Sequence, residues 1–161
     1  VTTPTLTLMV GPPGCGKSTF TREAVEWGPV PADSVVCPDD WRERLTGNRA
    51  EQKANEYVFR VCDTITYTRL SYGLDVWIDA TNVNAAYRAK FLKRCRAVRP
   101  DTSIILVPFV VSSDELLRRN WERAHPVPLD VLERMIAQMD AFEPDLGAHV
   151  VYPEELSLRP H

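Results

Sequence analysis

The stretch Gly11-Pro12-Pro13-Gly14-Cys15-Gly16-Lys17-Ser18 constrains this chain more than any other. It spells G-x-x-x-x-G-K-S, directly after the apolar run Leu6-Thr7-Leu8-Met9-Val10 and directly before the helix-like Thr19-Phe20-Thr21-Arg22-Glu23-Ala24-Val25. A strand that ends in such a loop turns a row of backbone N–H groups toward an anion, at the positive end of a helix dipole. Lys17 can reach the β- and γ-phosphates of a nucleotide, and the Ser18 hydroxyl can ligate Mg²⁺. Gly11, Gly14, Cys15, Gly16, Lys17, Ser18 and Thr19 are therefore the expected nucleotide-binding set. The bland alternative is a Gly/Pro-rich turn that binds nothing; the strand and helix patterns on either side speak against it.

The rest of the chain fits one α/β domain over residues 1–161. Short apolar runs alternate with longer helical segments, which favours a mainly parallel sheet flanked by helices. Strands are expected at Thr5–Val10, Ser34–Cys37, Asp75–Asp79, Ser103–Val110 and, weakly, Ala148–Tyr152. Helices are expected at Lys17–Trp27, Pro38–Thr46, Ala50–Tyr72, Ala85–Val98, Ser113–Ala124 and Leu129–Ala141, with Ser113 as a candidate cap. There is no apolar run of membrane-spanning length. Four scattered cysteines, with neither C-x-x-C nor zinc-like spacing, read as free thiols, and a cytoplasmic location is expected. The net charge of −3 excludes a protein that grips nucleic acid through bulk positive charge. Fifteen of the 19 basic residues are Arg, a bias that decides nothing until position is known.

In a parallel α/β sheet, ligands bind beyond the carboxyl ends of the strands. After the second strand comes Pro38-Asp39-Asp40-Trp41-Arg42. A phosphotransferase acting on a hydroxyl needs a carboxylate to accept the hydroxyl proton, and Asp39 is well placed. Arg42, one helical turn on, can hold an anion on the acceptor. The same position suits helix capping, so one of Asp39 and Asp40 is expected to cap. Asp79 closes the third strand, where it can enter the Mg²⁺ shell or bond neighbouring backbone, as Asn82 can. Arg119 and Arg123 share one helix face ahead of the breaker-rich Ala124-His125-Pro126-Val127-Pro128. That pattern suggests a lid, about residues 113–141, bringing arginine to charge developing at the γ-phosphate. The alternative is a solvated face paired with Glu115 and Glu122. His125, His149 and His161 read as ordinary surface, and Trp41 as core filling.

Taken together, these residues resemble the kinase domain of polynucleotide 5′-kinases, as in phage and bacterial RNA-repair kinase–phosphatases. The resemblance rests on G-x-x-G-x-G-K-S, D-D-[aromatic]-R at Asp39–Arg42, D-x-T-N at Asp79–Asn82, and R-N-x-x-R with V-P-x-D-V-L-x-x-M at Arg119–Met135. The order matches over most of the chain. One departure is Ala80, which interrupts the D-T-N of the family and leaves the role of Asp79 open. The resemblance implies transfer of the γ-phosphate of ATP or another NTP, with Mg²⁺, to the 5′-OH end of RNA or DNA. It implies Lys17 and Ser18 on phosphates and Mg²⁺, Asp39 as general base, Arg42 on the acceptor's 3′-side phosphate, and Arg119 and Arg123 on donor phosphates. No D-x-D-x-T signature is present, so no 3′-phosphatase activity is expected. Two rivals share the loop: a kinase of a nucleoside, sugar acid or antibiotic, and a nucleotide-dependent switch. A switch needs no hydroxyl-activating base.

Overall fold

A computed structural model describes residues 2–156. Five parallel strands form one sheet in the order β2-β3-β1-β4-β5: β1 Thr5–Val10, β2 Val35–Val36, β3 Val76–Ile78, β4 Ser103–Pro108 and β5 His149–Val150. Among the described residues six α-helices accompany them: α1 Lys17–Glu26, α2 Pro38–Thr46, α3 Asn55–Ser71, α4 Ala85–Val98, α5 Ser113–Trp121 and α6 Leu129–Asp140. Among the described residues no helix is long and apolar enough to cross a membrane.

Strand periodicity shows how one sheet serves two cores. Successive side chains point to opposite faces. Leu6, Leu8 and Val10 therefore join Val76, Ile78, Ile104 and Leu106 on the face covered by α3 and α4. Met9, Trp77 and Val107 join Ala24 of α1 and Leu116 of α5 on the other. The indole N–H of Trp77 donates to Thr21 Oγ1 at 2.9 Å, so the largest ring of the second core keeps its polar atom satisfied.

Element ends differ from the sequence expectations for local reasons. Neither Asp39 nor Asp40 caps α2. Cys37 stands at the N-cap with no side-chain bond, Pro38 occupies the first turn, and both carboxylates turn to arginines instead. They still lie in the first turn, where negative charge is favourable. Ser112, not Ser113, caps α5, accepting from the Glu115 N–H at 3.3 Å. The helix expected from Ala50 begins at Asn55, because Gln52–Ala54 close into a 3₁₀ turn capped by Glu51. The expected strand to Val110 stops at Pro108, and α5 stops at Trp121 rather than Ala124.

The segment after α6 is tied to the sheet rim by Arg88, only 2% exposed. Its guanidinium donates to Asp145 Oδ2 (2.5 Å), to the Asn82 carbonyl (2.6 Å) and to the Glu143 carbonyl (3.3 Å). The Phe142 ring packs against the same group, 5.1 Å from centroid to Cζ. Removing one partner of such a buried pair typically costs about 3–5 kcal/mol, since the other charge is left without compensation. Arg88→Ala is expected to lose stability in that range, measured as a lowered midpoint of denaturant unfolding at unchanged slope. A loss under about 1 kcal/mol would show that Arg88 does not anchor the C-terminal segment.

Candidate active site

The loop after β1 needs its glycines for two distinct reasons. A Cβ on Gly11 would stand 2.5 Å from Cys15 Sγ and 3.2 Å from Phe109 Cβ, so space excludes it. Gly14 and Gly16 adopt φ of +83° and +105°, which L side chains rarely tolerate. Gly16 is the N-cap of α1, and the first-turn N–H groups face the loop's concavity. Lys17, 8% exposed, threads back into the loop. Its ammonium donates to the Gly11 and Pro12 carbonyls at 2.9 Å each, with Cys15 Sγ at 3.5 Å. Ser18 and Thr19 are exposed in the first turn of α1.

Asp79 lies just past β3, 7% exposed, with its N–H donating to the Val36 carbonyl at 3.0 Å. Burial pushes its carboxyl above the ordinary range, while the nearby Ser18 hydroxyl and the charge of Lys17 act in the opposite direction. A serine hydroxyl beside a carboxylate is a hard-oxygen pair of the kind Mg²⁺ accepts when phosphate and water complete its shell. Among the described residues no group of three or more His, Cys, Asp or Glu gathers elsewhere to hold a metal.

The rest of the D-x-T-N segment bonds neighbouring backbone, the alternative that the sequence offered for Asn82. The Thr81 carbonyl accepts the Gly11 N–H at 2.9 Å. Asn82, with φ of +49°, sends its amide to the Met9 carbonyl at 2.7 Å. Together they fasten the root of the phosphate loop to the loop after β3.

Asp39 and Arg42 do come together, as their i,i+3 spacing suggested. The arrangement has a third member that sequence reasoning missed. Arg42 is 4% exposed, and Asn55 Oδ1 accepts from its Nε (3.1 Å) and Nη2 (2.8 Å), while Nη1 pairs with Asp39. Asn55 is thirteen residues away on the next helix, beyond the reach of helical spacing. The Asp39 side chain remains 59% exposed above this base. Asp40 pairs with Arg49 instead and borders a cleft of about 630 Å³ beside Ser18 and Asp79. Trp41 lines the same cleft and packs on the core, with the Arg44 guanidinium 5.1 Å from its ring centroid.

Helix α5 leans on the phosphate loop through Arg119, whose Nη1 donates to the Gly14 carbonyl at 2.9 Å and whose Nε donates to Glu115 at 2.8 Å. Arg118 takes the solvated pairings, with Glu115 and Glu122. These arginines hold the Glu115 carboxyl down to about 2, so its own pairs with Arg118 and Arg119 persist above that value and are lost only as pH falls through it. Arg123 lies past the end of α5, which stops at Trp121, so it does not share a helix face with Arg119 as expected; it is exposed, with no carboxylate within 4 Å among the described residues. Asn120 clamps the loop that carries it, donating to and accepting from the Val127 backbone at 2.9 Å each. Its place in R-N-x-x-R was the only signal for this role. His125 and His149 are exposed; His161 lies outside the described residues. All four cysteines are free and buried, and burial pushes Cys37 up to about 11 and Cys62 and Cys95 to about 12.

No curated protein sequence matches the chain. Solved structures do. A putative kinase from Chloroflexus aurantiacus is similar at TM-score 0.72 and 16% identity, over 97% of this chain and 93% of that one. A chain of the Pnkp1/Rnl/Hen1 complex is similar at TM-score 0.58 and 26% identity, over 80% of this chain and 42% of that one. This chain thus spans less than half of that relative's length. A sugar kinase from Janibacter sp. is similar at TM-score 0.61 and 19% identity, over 94% of this chain and 86% of that one. The fold is that of P-loop kinases, with the glycine loop, Lys17 and Ser18 at the carboxyl end of the central strand. A family model described as an AAA domain matches residues 6–142, and the chain belongs to that family, AAA_33.

Proposed function

We propose that this chain is a kinase that transfers the γ-phosphate of ATP or another NTP to the 5′-hydroxyl end of RNA or DNA. The observation that carries the reading is the Asp39–Arg42–Asn55 cluster at the end of β2, next to Asp40, which borders the cleft lined by Ser18 and Asp79. A nucleotide hydrolase or switch has no use for an exposed carboxylate braced from below by a buried arginine. A hydroxyl acceptor does: Asp39 takes its proton as the acceptor oxygen bonds to the γ-phosphorus and the bond to the β-phosphate bridging oxygen breaks. Lys17 and the loop N–H groups hold the β- and γ-phosphates of the donor. Ser18 and Asp79 would hold Mg²⁺, which neutralises phosphate charge. Arg119 stands over the loop at Gly14, and Arg123 comes to the γ-phosphate when the segment 121–126 folds inward. Arg42 orients Asp39 and meets the phosphate on the 3′ side of the acceptor. The motif order and the 26% identity to a chain of the Pnkp1/Rnl/Hen1 complex support the polynucleotide acceptor.

One observation favours a second reading, a kinase of an uncharged small hydroxyl compound. Arg42 already has Asp39 and Asn55 as partners and is 4% exposed, so an acceptor without a phosphate would leave it undisturbed. Incubation with γ-labelled ATP, Mg²⁺ and 5′-OH oligonucleotides, beside a nucleoside and sugar-acid panel, separates the two. Label is expected on oligonucleotide ends; label on small molecules alone would establish the second reading. Asp39→Asn is expected to abolish transfer while ATP affinity, measured by calorimetry, stays within about two-fold, because the phosphate loop is untouched. Arg123→Ala is expected to lower kcat by about ten-fold or more with little change in ATP affinity. Full retention of rate would remove Arg123 from the reaction.

A further inference from the structure

We infer that Phe59 and Tyr87 form a stacking surface for the nucleobase of the acceptor's 5′-terminal nucleotide. The inference rests on the polynucleotide reading of the site, and its test separates the two.

The rings meet edge to face, with centroids 6.1 Å apart and planes at 63°. Phe59 is 36% exposed and Tyr87 48%. Their position is what distinguishes them from scattered surface apolar residues, which need no explanation. Phe59 follows Asn55 by four residues on α3, so it lies on the same helix face, one turn from the side chain that holds Arg42. Tyr87 lies in the first turn of α4, its N–H donating to the Asn84 cap at 3.0 Å, just past the Asp79–Asn82 segment. The pocket beneath the pair is lined by Pro38, Ala80 and Asn82, the neighbours of Asp39 and Asp79 in sequence. The pair therefore lies along the same rim as the base and its arginine. The enclosed space under the rings is only about 30 Å³, room for a water or two, so a base lies across the rings and not between them.

Stacking also resolves a charge problem. A chain of net charge −3 gains little from bulk attraction to a polyanion. A π-face contact needs no net charge and accepts every base, which suits an enzyme acting on ends of any sequence. The carboxylate of Asp63, also in the lining, is half-buried and pushed above its ordinary range by desolvation. It can accept from a base N–H at the edge of the stack.

The test uses a 5′-OH trithymidylate carrying a 3′-fluorescein, and its counterpart with an abasic residue at the 5′ end. Binding is measured by anisotropy with a non-hydrolysable ATP analogue, and transfer from γ-labelled ATP is measured in parallel. The full chain is expected to bind the base-bearing probe roughly five-fold or more tightly than the abasic one. Phe59→Leu and Tyr87→Leu keep apolar bulk without a π face and are expected to erase that preference, leaving abasic binding and ATP affinity unchanged. Tyr87→Phe is expected to retain it. Circular dichroism and melting confirm that each variant is folded. Phosphorylation of both probes with equal affinity, or a preference that survives both leucine variants, would overturn the stacking surface and leave the kinase reading intact. Ring-dependent binding without phosphorylation of any oligonucleotide would overturn the acceptor reading and keep the surface. Absence of binding to either probe would overturn both.

Discussion

The carboxyl end of the central strand is the fixed point of this molecule. Lys17 holds the glycine loop from within, through the Gly11 and Pro12 carbonyls, and the root of the loop has to be fixed from outside. Two bonds from the loop after β3 do this: the Gly11 N–H to the Thr81 carbonyl, and the Asn82 amide to the Met9 carbonyl. Asn82 can reach only because its backbone enters the left-handed region, which asparagine tolerates better than most residues. Its carbonyl in turn receives Arg88, whose other donors hold Glu143 and Asp145. One short segment thus links the phosphate loop, the β3 exit, α4 and the segment after α6. The second core adds a wall: Phe109 and Cys15 fill the space that a side chain at Gly11 would need.

From that fixed point the charges are distributed by burial. Arg42 and Lys17 are both buried, and both have their donors engaged, the condition under which a buried cation is sustainable. Their partners differ in kind. Lys17 rests on neutral carbonyls, from which it can be drawn by a more strongly charged oxygen. Arg42 rests on a carboxylate and an amide together, a more committed pairing. The two cations therefore differ in how they are held: the ammonium rests on neutral acceptors alone, and the guanidinium is fixed against Asp39 and Asn55.

Most of the layout was legible in the sequence because each element carries a local signal. The apolar runs of β1 and β4, the G-K-S turn into α1, and the breakers around α5 all act within a few residues. The i,i+3 relation of Asp39 and Arg42 is likewise local, and the pair forms as spaced. What spacing could not yield was the partner from elsewhere. Asn55 on α3, Thr81 opposite Gly11, and Asp145 under Arg88 meet their partners only after the sheet has assembled. The cap assignments failed for a related reason. Asp39 and Asp40 have cap chemistry, but arginines brought near by the turn and by the loop after α2 offer them ion pairs, and Pro38 already suits the helix start. At α5, the shift of the cap by one residue to Ser112 sets Glu115 three positions on, in the S-x-x-E relation that Ser113 could not provide.

The outer strands of the sheet are its shortest. β2 and β5 have two residues each, while β1 and β4 in the interior have six. A sheet margin with free N–H and C=O groups is a template on which another chain can extend the ladder. Here that margin is too brief to define a register, and Pro38 follows the β2 side closely. The long, strongly apolar strands that give the sheet its cohesion lie inside these short margins, β1 between β3 and β4 and β4 between β1 and β5. The fold can thus keep a sticky, β-branched centre without presenting it for intermolecular growth, a form of protection against fibre-like association that costs no charge and no extra chain.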